Sequence, residues 1–378
     1  MKKWIMLCSM LITAVMLVGC GKSEQQGNND ITEPLPTTQP VATLPAEVTP
    51  EENELKNITE EDLLNVENYY PVEADTEYSY TGEGNEYADF NRFVDYIDPV
   101  KHKLQTRTNN GGTETVRVIE VAGGKVSVVY LANECYYREN FLDRSSSEEG
   151  EVLLMEPLVA GTEWTLPDGR KRFISQTKVP VETPYGTFEA LEVTTQDSES
   201  ITKDYYGFGV GLVKTIFTSD ALEVTSTLNS VNRDAVYSLS VSLYHPGVDE
   251  TLYGDQTQLQ FKTGDDSKTV LEEVFQKSGV DDTYLPLIGP NTKINDLYLD
   301  KNGIVNVDFS SNFVTEMNVG AGYELLILQS IVNTLGDYYG AGKVYITLGG
   351  KPYESGHILI KEGETFDVEY DDVTYIER

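Results

Sequence analysis

The sequence predicts an α+β protein with two folded parts. In residues 68–232, apolar and polar residues alternate between glycine-containing turns, which predicts an antiparallel β-meander curled into a sandwich or half-barrel. In residues 235–378, strands alternate with two helical patterns, which predicts an α+β sandwich of one sheet with two helices on one face. The 24 tyrosines against 2 tryptophans also favour pleated sheet over a helical bundle.

The N-terminus has the features of an export signal. Two lysines precede an uncharged stretch, residues 4–18, which is short for a membrane-spanning helix and typical of a signal peptide. The stretch ends in LVGC at residues 17–20, which resembles the lipobox of bacterial lipoproteins. The resemblance implies that residues 1–19 are a lipoprotein signal peptide and that Cys20 is the lipid attachment site. An ordinary cleaved signal with a chance cysteine is the alternative.

Residues 20–67 predict a disordered linker rich in Pro, Thr and Glu. Its five prolines disfavour helix, and its acidic run at residues 51–54 adds charge repulsion. A short helix is expected at residues 58–66, where the first folded part begins. Two acyl chains on Cys20 bury enough methylene groups to hold this linker and the folded parts on a membrane.

The strands of the first part follow from alternation and turn residues. Thr115–Val121 and Lys125–Leu131 flank Gly123 and Gly124 and predict a hairpin. Further strands are predicted at Glu151–Met155, Arg170–Gln176, Gly186–Thr195, Ser200–Tyr206, Leu212–Phe217 and Ala221–Leu228. The sequences YGTFEA at 185–190 and YYGFGVGLVK at 205–214 resemble a β-meander module of secreted bacterial lipoproteins, which implies a fold and no chemistry. The glycines at 207–211 indicate a strand-to-strand turn, because no βαβ unit follows them.

The second part combines strands with two amphipathic helices. Helices are predicted at Lys268–Lys277 and Tyr323–Leu335, the latter ended by Gly336. Strands are predicted at Tyr237–Tyr244, Gln258–Lys262, Lys293–Leu299, Gly303–Phe309 and Lys343–Leu348, with a final hairpin of Ile358–Lys361 and Thr365–Glu369.

A family resemblance lies in this second part. Residues 303–313 read GIVNVDFSSNF, residues 324–335 supply an E…L…IVNTL helix, and residues 344–350 read VYITLGG. This pattern resembles the GerMN domain, a sporulation and spore-germination module of Gram-positive lipoproteins and envelope proteins. The resemblance implies assembly or binding without known catalysis. Sporulation members carry two such copies in tandem, whereas this chain has one copy behind a different β module.

No arrangement of residues predicts catalysis, a cofactor or a metal. The histidines His102, His245 and His357 are scattered without a zinc-ligand spacing. Asp308 and Ser310 alternate with apolar residues on a predicted strand, which favours a role in capping the next turn. Asp300 begins half of a calcium loop, but the twelfth position is serine rather than glutamate, so a hairpin turn is the better interpretation.

Charge and cysteine content limit the partners. With 62 acidic against 28 basic side chains and a net charge of -34, the chain is unsuited to nucleic acid. Cys135 is predicted to be a semi-buried packing residue, since its neighbours are not basic. The favoured hypothesis is a lipoprotein on the extracytoplasmic face of the cytoplasmic membrane of a Gram-positive cell, binding an envelope protein without catalysis. The alternatives are a solute- or cell-wall-binding lipoprotein with a cleft between its two parts, and an unrecognised envelope hydrolase.

Overall fold

The computed structural model describes residues 59–144, 150–278 and 283–376. The predicted signal peptide, Cys20 and the predicted linker up to residue 58 lie outside the described residues. Where the sequence predicts one short helix, the structure has two 3₁₀ helices, Asp62–Leu64 and Val66–Tyr69. Val66 and Tyr69 are buried against the sheet that follows.

Twelve antiparallel strands form one sheet, which we call the β-rich part (residues 76–233). The first six are β1 (Thr76–Glu83), β2 (Phe90–Asp98), β3 (Lys103–Asn109), β4 (Glu114–Ala122), β5 (Lys125–Asn133) and β6 (Glu151–Met155). The next six are β7 (Glu163–Thr165), β8 (Lys171–Glu182), β9 (Thr187–Gln196), β10 (Ser200–Gly207), β11 (Gly211–Ser219) and β12 (Leu222–Arg233). The predicted meander is therefore confirmed, and the hairpin between β4 and β5 turns at Gly123 and Gly124, both with positive φ.

The sheet order explains how this part encloses a core. β1 pairs with β12, so the sheet runs from β6 through β1 and β12 to β7. One buried apolar cluster combines residues of β3–β6 with residues of β7–β10. The two halves of the sheet therefore curl until their inner faces pack against each other.

The two edge strands of this sheet, β6 and β7, are joined by side chains. The indole Nε1 of Trp164 donates to the carbonyl of Val152 at 3.0 Å, and Arg172 Nη1 donates to the same carbonyl at 2.8 Å. Arg172 also reaches Thr195 Oγ1 and Glu151 Oε1, both at 2.7 Å. We call the seam the contact in which Trp164 and Arg172 donate hydrogen bonds to the main chain of β6. It satisfies backbone groups that an exposed edge strand would leave open.

The C-terminal part (residues 237–376) contains three α-helices and eight strands among the described residues. In chain order they are β13 (Tyr237–Pro246), β14 (Leu252–Phe261), α1 (Ser267–Lys277), β15 (Ile294–Leu299), β16 (Ile304–Phe309), α2 (Phe313–Met317), α3 (Ala321–Tyr339), β17 (Lys343–Leu348), β18 (Lys351–Pro352), β19 (Phe366–Asp367) and β20 (Val373–Tyr375). Asp266 caps α1 by accepting the Lys268 N–H. α3 connects β16 to β17, which pair in parallel.

Two features of the predicted α+β sandwich are wrong. The strands form two sheets rather than one: β13-β14-β20, and β15-β16-β17-β18 with β19 beside β17. They stay separate because β16 extends its sheet by pairing with β17, while β14 pairs with the distant β20. The predicted final hairpin does not form either, since residues 358–361 make only one bridge, Glu354 to Leu359, and β19 pairs with β17.

The second long helix also differs from its predicted end. α3 continues through Gly336 and ends at Gly340, which adopts the left-handed conformation. Gly336 lies inside the helix, at a position where a Cβ would approach a methyl carbon of Val368 to 2.4 Å, so the packing there requires glycine. One apolar core joins both sheets with α1 and α3, and its largest fully buried side chains include Phe261, Phe275 and Phe309.

Candidate functional site

Of the two cysteines considered in the sequence, Cys20 and Cys135, the described residues include Cys135. Cys20 lies outside the described residues, so its acylation stays a prediction. Cys135 is 3% exposed, and its thiol donates to the carbonyl of Tyr137. Burial raises the pKa of this thiol to about 11, so it is protonated at neutral pH. The packing role predicted for Cys135 is confirmed.

No helix among the described residues combines the length and the apolar character needed to cross a membrane.

Asp308 and Ser310 hold local structure, as predicted. Asp308 Oδ1 accepts hydrogen bonds from Thr347 Oγ1 and the Gly350 N–H, both at 2.7 Å. Ser310 Oγ accepts the Lys293 N–H at 2.9 Å. Asp300 likewise accepts main-chain N–H groups within the hairpin between β15 and β16. The carboxylates of Asp300 and Asp308 and the hydroxyl of Ser310 therefore connect strands and turns through hydrogen bonds.

The histidines gather no metal site in the described ranges. Within residues 59–144, 150–278 and 283–376, no three His, Cys, Asp or Glu side chains could jointly hold a metal ion. His245 is buried on β13, with its Nε2 3.2 Å from Asp255 Oδ1 and its ring against Tyr284. His102 lies in the turn between β2 and β3, where its φ is 53°.

Glu324 organises a polar cluster that sequence reasoning missed. Its carboxylate is 4% exposed and accepts the Tyr353 hydroxyl at 2.8 Å, while its other oxygen lies 2.7 Å from His357 Nδ1. Burial alone would raise the pKa of Glu324, but hydrogen bonds from Ser355, His357 and Tyr353 outweigh it and lower the pKa. The cluster fastens the segment after β18 to the first turn of α3.

A buried ionic network joins the β-rich part to the C-terminal part. Asp95 on β2 is fully buried and lies 2.7 Å from Arg138 Nη1 and 3.3 Å from Arg107 Nη2. Arg107 also pairs with Glu114 at 2.7 Å, and Glu114 accepts the Tyr237 hydroxyl of β13 at 3.0 Å. We call these residues, with Arg138, the junction network.

Arg138 makes most of the contacts across this junction. Its guanidinium donates to the carbonyls of Lys262 and Asp265, at 2.8 and 3.3 Å. Its own carbonyl accepts the hydroxyls of Ser267 and Tyr338. Charged and aromatic side chains thus fill this contact, where the solute-binding hypothesis expects a cleft.

A polar groove lies in the C-terminal part, between β14 and α1. Its volume is about 640 Å³. Gln258, Leu259 and Gln260 line it from β14, and Thr269, Val270, Glu273, Val274 and Lys277 line it from α1. Asp265 and Asp266 lie at the start of the helix. A groove of this volume can receive side chains of a partner protein. No pattern in the sequence predicts this groove, because it depends on where α1 packs.

Comparison with known proteins identifies the C-terminal part. Residues 241–354 match the family model described as "Germane: Sporulation and spore germination". The predicted resemblance is therefore confirmed for this stretch, which contains the groove, α1 and α3. No curated protein matches the chain significantly.

Several solved structures also resemble the chain. The tandem GerMN domains of the sporulation protein GerM from Bacillus subtilis are 16% identical, with a TM-score of 0.26, over 34% of this chain and 46% of that chain. The first GerMN domain of the same protein is 19% identical, with a TM-score of 0.24, over 36% and 97%. A Clostridium perfringens protein described as a lipoprotein is 18% identical, with a TM-score of 0.24, over 35% and 89%. The chain thus spans less than half of the tandem protein.

Proposed function

We propose that this protein is a lipid-anchored, extracytoplasmic envelope protein that binds another envelope protein without catalysis, in sporulation or spore germination. The observation that carries this proposal is the match of residues 241–354 to a sporulation and germination family. Cys20 supplies the anchor on the outer face of the cytoplasmic membrane of a Gram-positive cell. The division into signal peptide 1–19, linker 20–67, β-rich module 68–232 and GerMN-like domain 235–378 belongs to the same proposal.

The charge of the chain agrees with this arrangement. A net charge of -34 repels anionic lipid, so the folded parts gain no electrostatic attraction to the membrane surface. Two acyl chains hold a protein stably without such help, because each buried methylene contributes about 0.8 kcal/mol. The linker then sets the distance between the membrane and the folded parts.

The anchor is tested by replacing Cys20. We expect Cys20→Ala to leave the protein uncleaved or to release it to the medium, whereas Cys8→Ala, a thiol within the signal, leaves membrane fractionation unchanged. Mass spectrometry of the native protein should find an acylated Cys20 as the first residue. An uncut, unmodified N-terminus would contradict the proposal.

The binding role is tested in cells. Crosslinking in sporulating and in vegetative cells, followed by isolation of the lipidated protein, should recover a membrane complex in sporulating cells. Recovery of the monomer alone in both growth phases would refute a role in assembly.

A further inference from the structure

The groove borders an edge of β14 that, among the described residues, pairs with another strand over only part of its length. β14 pairs with β13 along its whole length, from Leu252 to Phe261. On its other side it pairs only with β20, through Leu252, Tyr253 and Gly254. Past Gly254, no strand of the described chain pairs with this outer edge. The open stretch, Gln256 to Gln260, is about 14 Å long at the usual rise per residue.

Hydrogen bonds at both ends of the open stretch show which way its main chain points. The carbonyl of Gly254 accepts the Ile376 N–H, and the carbonyl of Lys262 accepts Arg138 Nη2. The carbonyl groups of both residues therefore point away from β13. Because the N–H and C=O of alternate residues in a strand share a side, those of Gln256, Gln258 and Gln260 also point away from β13. The pairing with β13 has no bulge that would change this direction.

The open stretch carries none of the devices that usually protect an edge strand. Its sequence, QTQLQ, has no charge and no proline. The edges of the β-rich sheet differ, since Trp164 and Arg172 cover the main chain of β6. The edge strand β15 is also covered, because Glu272 of α1 accepts the Ile294 N–H. An open edge beside a groove suits the addition of a strand from another protein.

The walls of the groove indicate the chemistry of such a strand. Val270 and Val274, four residues apart on α1, give it an apolar floor. Asp265, Asp266 and Glu273 outnumber the lining cation Lys277, which forms an exposed pair with Glu273 at 3.1 Å. A partner with basic side chains is complementary to this rim. A second copy of this chain, with a net charge of -34, would instead bring acidic groups against acidic groups.

We propose that the edge Gln256–Gln260 and the groove beside it bind an extended segment of a partner protein as an added β-strand, with basic side chains alternating with apolar ones. This inference rests on the proposed function, because it specifies how a binding module would hold its partner. The added main chain would pair with Gln256, Gln258 and Gln260. Its apolar side chains would lie on Val270 and Val274, and its basic side chains would face Glu273 and Asp265.

The probe is a fluorescent peptide in which valine and lysine alternate over nine residues. We expect it to bind and to slow amide hydrogen exchange selectively at residues 256–260. Methylation of alternate peptide nitrogens removes the main-chain donors, and replacing lysine by glutamate reverses the charge. Each change should weaken binding by about tenfold or more. Equal affinity of the methylated peptide, absence of binding, or protection elsewhere would overturn the inference.

Variants of the protein test the same site from the other side. Glu273→Lys should weaken binding of the basic peptide and strengthen binding of the glutamate peptide, whereas Glu86→Lys, on the exposed surface of the β-rich part, should change neither. Gln258→Pro should abolish binding while thermal unfolding reports an intact fold. If that variant does not fold, the methylated peptide still decides the matter, because it leaves the protein unaltered.

The outcome also separates this inference from the proposed function. A Gln258→Pro protein that still forms the membrane complex in cells would overturn strand addition and leave the binding role standing. A peptide that binds as expected, while no complex forms in cells, would refute the assembly role alone. Protection of residues 256–260 that rises with protein concentration, without peptide, would show pairing between copies and overturn the inference.

Discussion

Glu324 shows how one buried carboxylate holds two segments together. It lies in the first turn of α3, where a negative charge also suits the helix dipole. Tyr353 and His357, which bind its two oxygens, follow β17 in the chain. Because these hydrogen bonds lower the pKa of Glu324, the carboxylate stabilises the fold above its ordinary value of 4.5, and this contribution is lost as pH falls through the lower folded value.

We therefore predict that Glu324→Gln destabilises the protein at pH 7 by about 1–3 kcal/mol, since a neutral amide replaces a charged acceptor. The difference in the free energy of unfolding between the variant and the natural protein should shrink as pH falls below 4.5, because protonation then neutralises the natural carboxylate. Urea unfolding between pH 7 and pH 3 measures both effects. Glu354→Gln, an exposed neighbour, is the control, and a difference that is constant with pH would contradict the prediction.

Among the elements, the seam of the β-rich sheet determines how its two edge strands are held. β6 and β7 have only five and three residues, and they meet through Trp164 and Arg172 rather than through a ladder of main-chain hydrogen bonds. Arg172 is 6% exposed and binds three groups around the seam. Three of the hydrogen bonds at the seam therefore depend on one guanidinium.

We predict that Arg172→Met lowers the free energy of unfolding by about 2–3 kcal/mol, because it leaves the Val152 carbonyl and Thr195 hydroxyl without that donor. Amide exchange should accelerate in β6 and β7, while β1 and β12 keep their protection. Arg170→Met, which removes an exposed pair with Asp168, should change neither quantity measurably. Uniform acceleration across all twelve strands would show that the seam is not a local contact.

The elements that the sequence predicts well are those with strong local patterns. The hairpin at Gly123 and Gly124, the strand Glu151–Met155 and helix α1 all appear within one to two residues of their predicted bounds. β3 received no prediction because it buries polar residues. Its Gln105 and Arg107 are at most 1% exposed, and their partners lie in other segments, so no alternation of apolar residues marks this strand.

At the scale of the whole molecule, the junction network couples the β-rich part to the C-terminal part. Arg138 and Asp95 are fully buried, so removing one partner leaves an uncompensated charge or several unsatisfied carbonyls. The hydrogen bonds of this contact are lost together, because the Asp95 carboxylate and the bonded carbonyls all depend on the Arg138 guanidinium. We therefore expect the described parts to unfold together.

Two spectroscopic signals test this coupling. Trp164 is the only tryptophan after residue 19 and reports on the β-rich part, whereas α1, α2 and α3 give the C-terminal part the helical circular dichroism. The two signals should change at the same denaturant concentration. Arg138→Met should lower the free energy of unfolding by about 3–5 kcal/mol and separate the two transitions.

Arg144→Met is the matched control for this prediction. Arg144 lies in the same segment as Arg138, but its pair with Glu139 is largely exposed on the arginine side. We expect this variant to change stability by no more than about 1 kcal/mol and to keep the two signals together. Separate transitions in the natural protein would refute the coupling.

The sequence by itself determined the meander and the resemblance of the C-terminal part, because each of these depends on residues close together in the chain. The export signal with Cys20 as anchor stays a prediction from the sequence. The tertiary structure decided what depends on distant residues: the pairing of β1 with β12, the two separate sheets, the seam, the junction network and the open edge of β14. Local patterns carry turn chemistry and amphipathic faces. They do not carry which strand edges meet or which buried charges become partners, since those follow from packing between segments far apart in sequence.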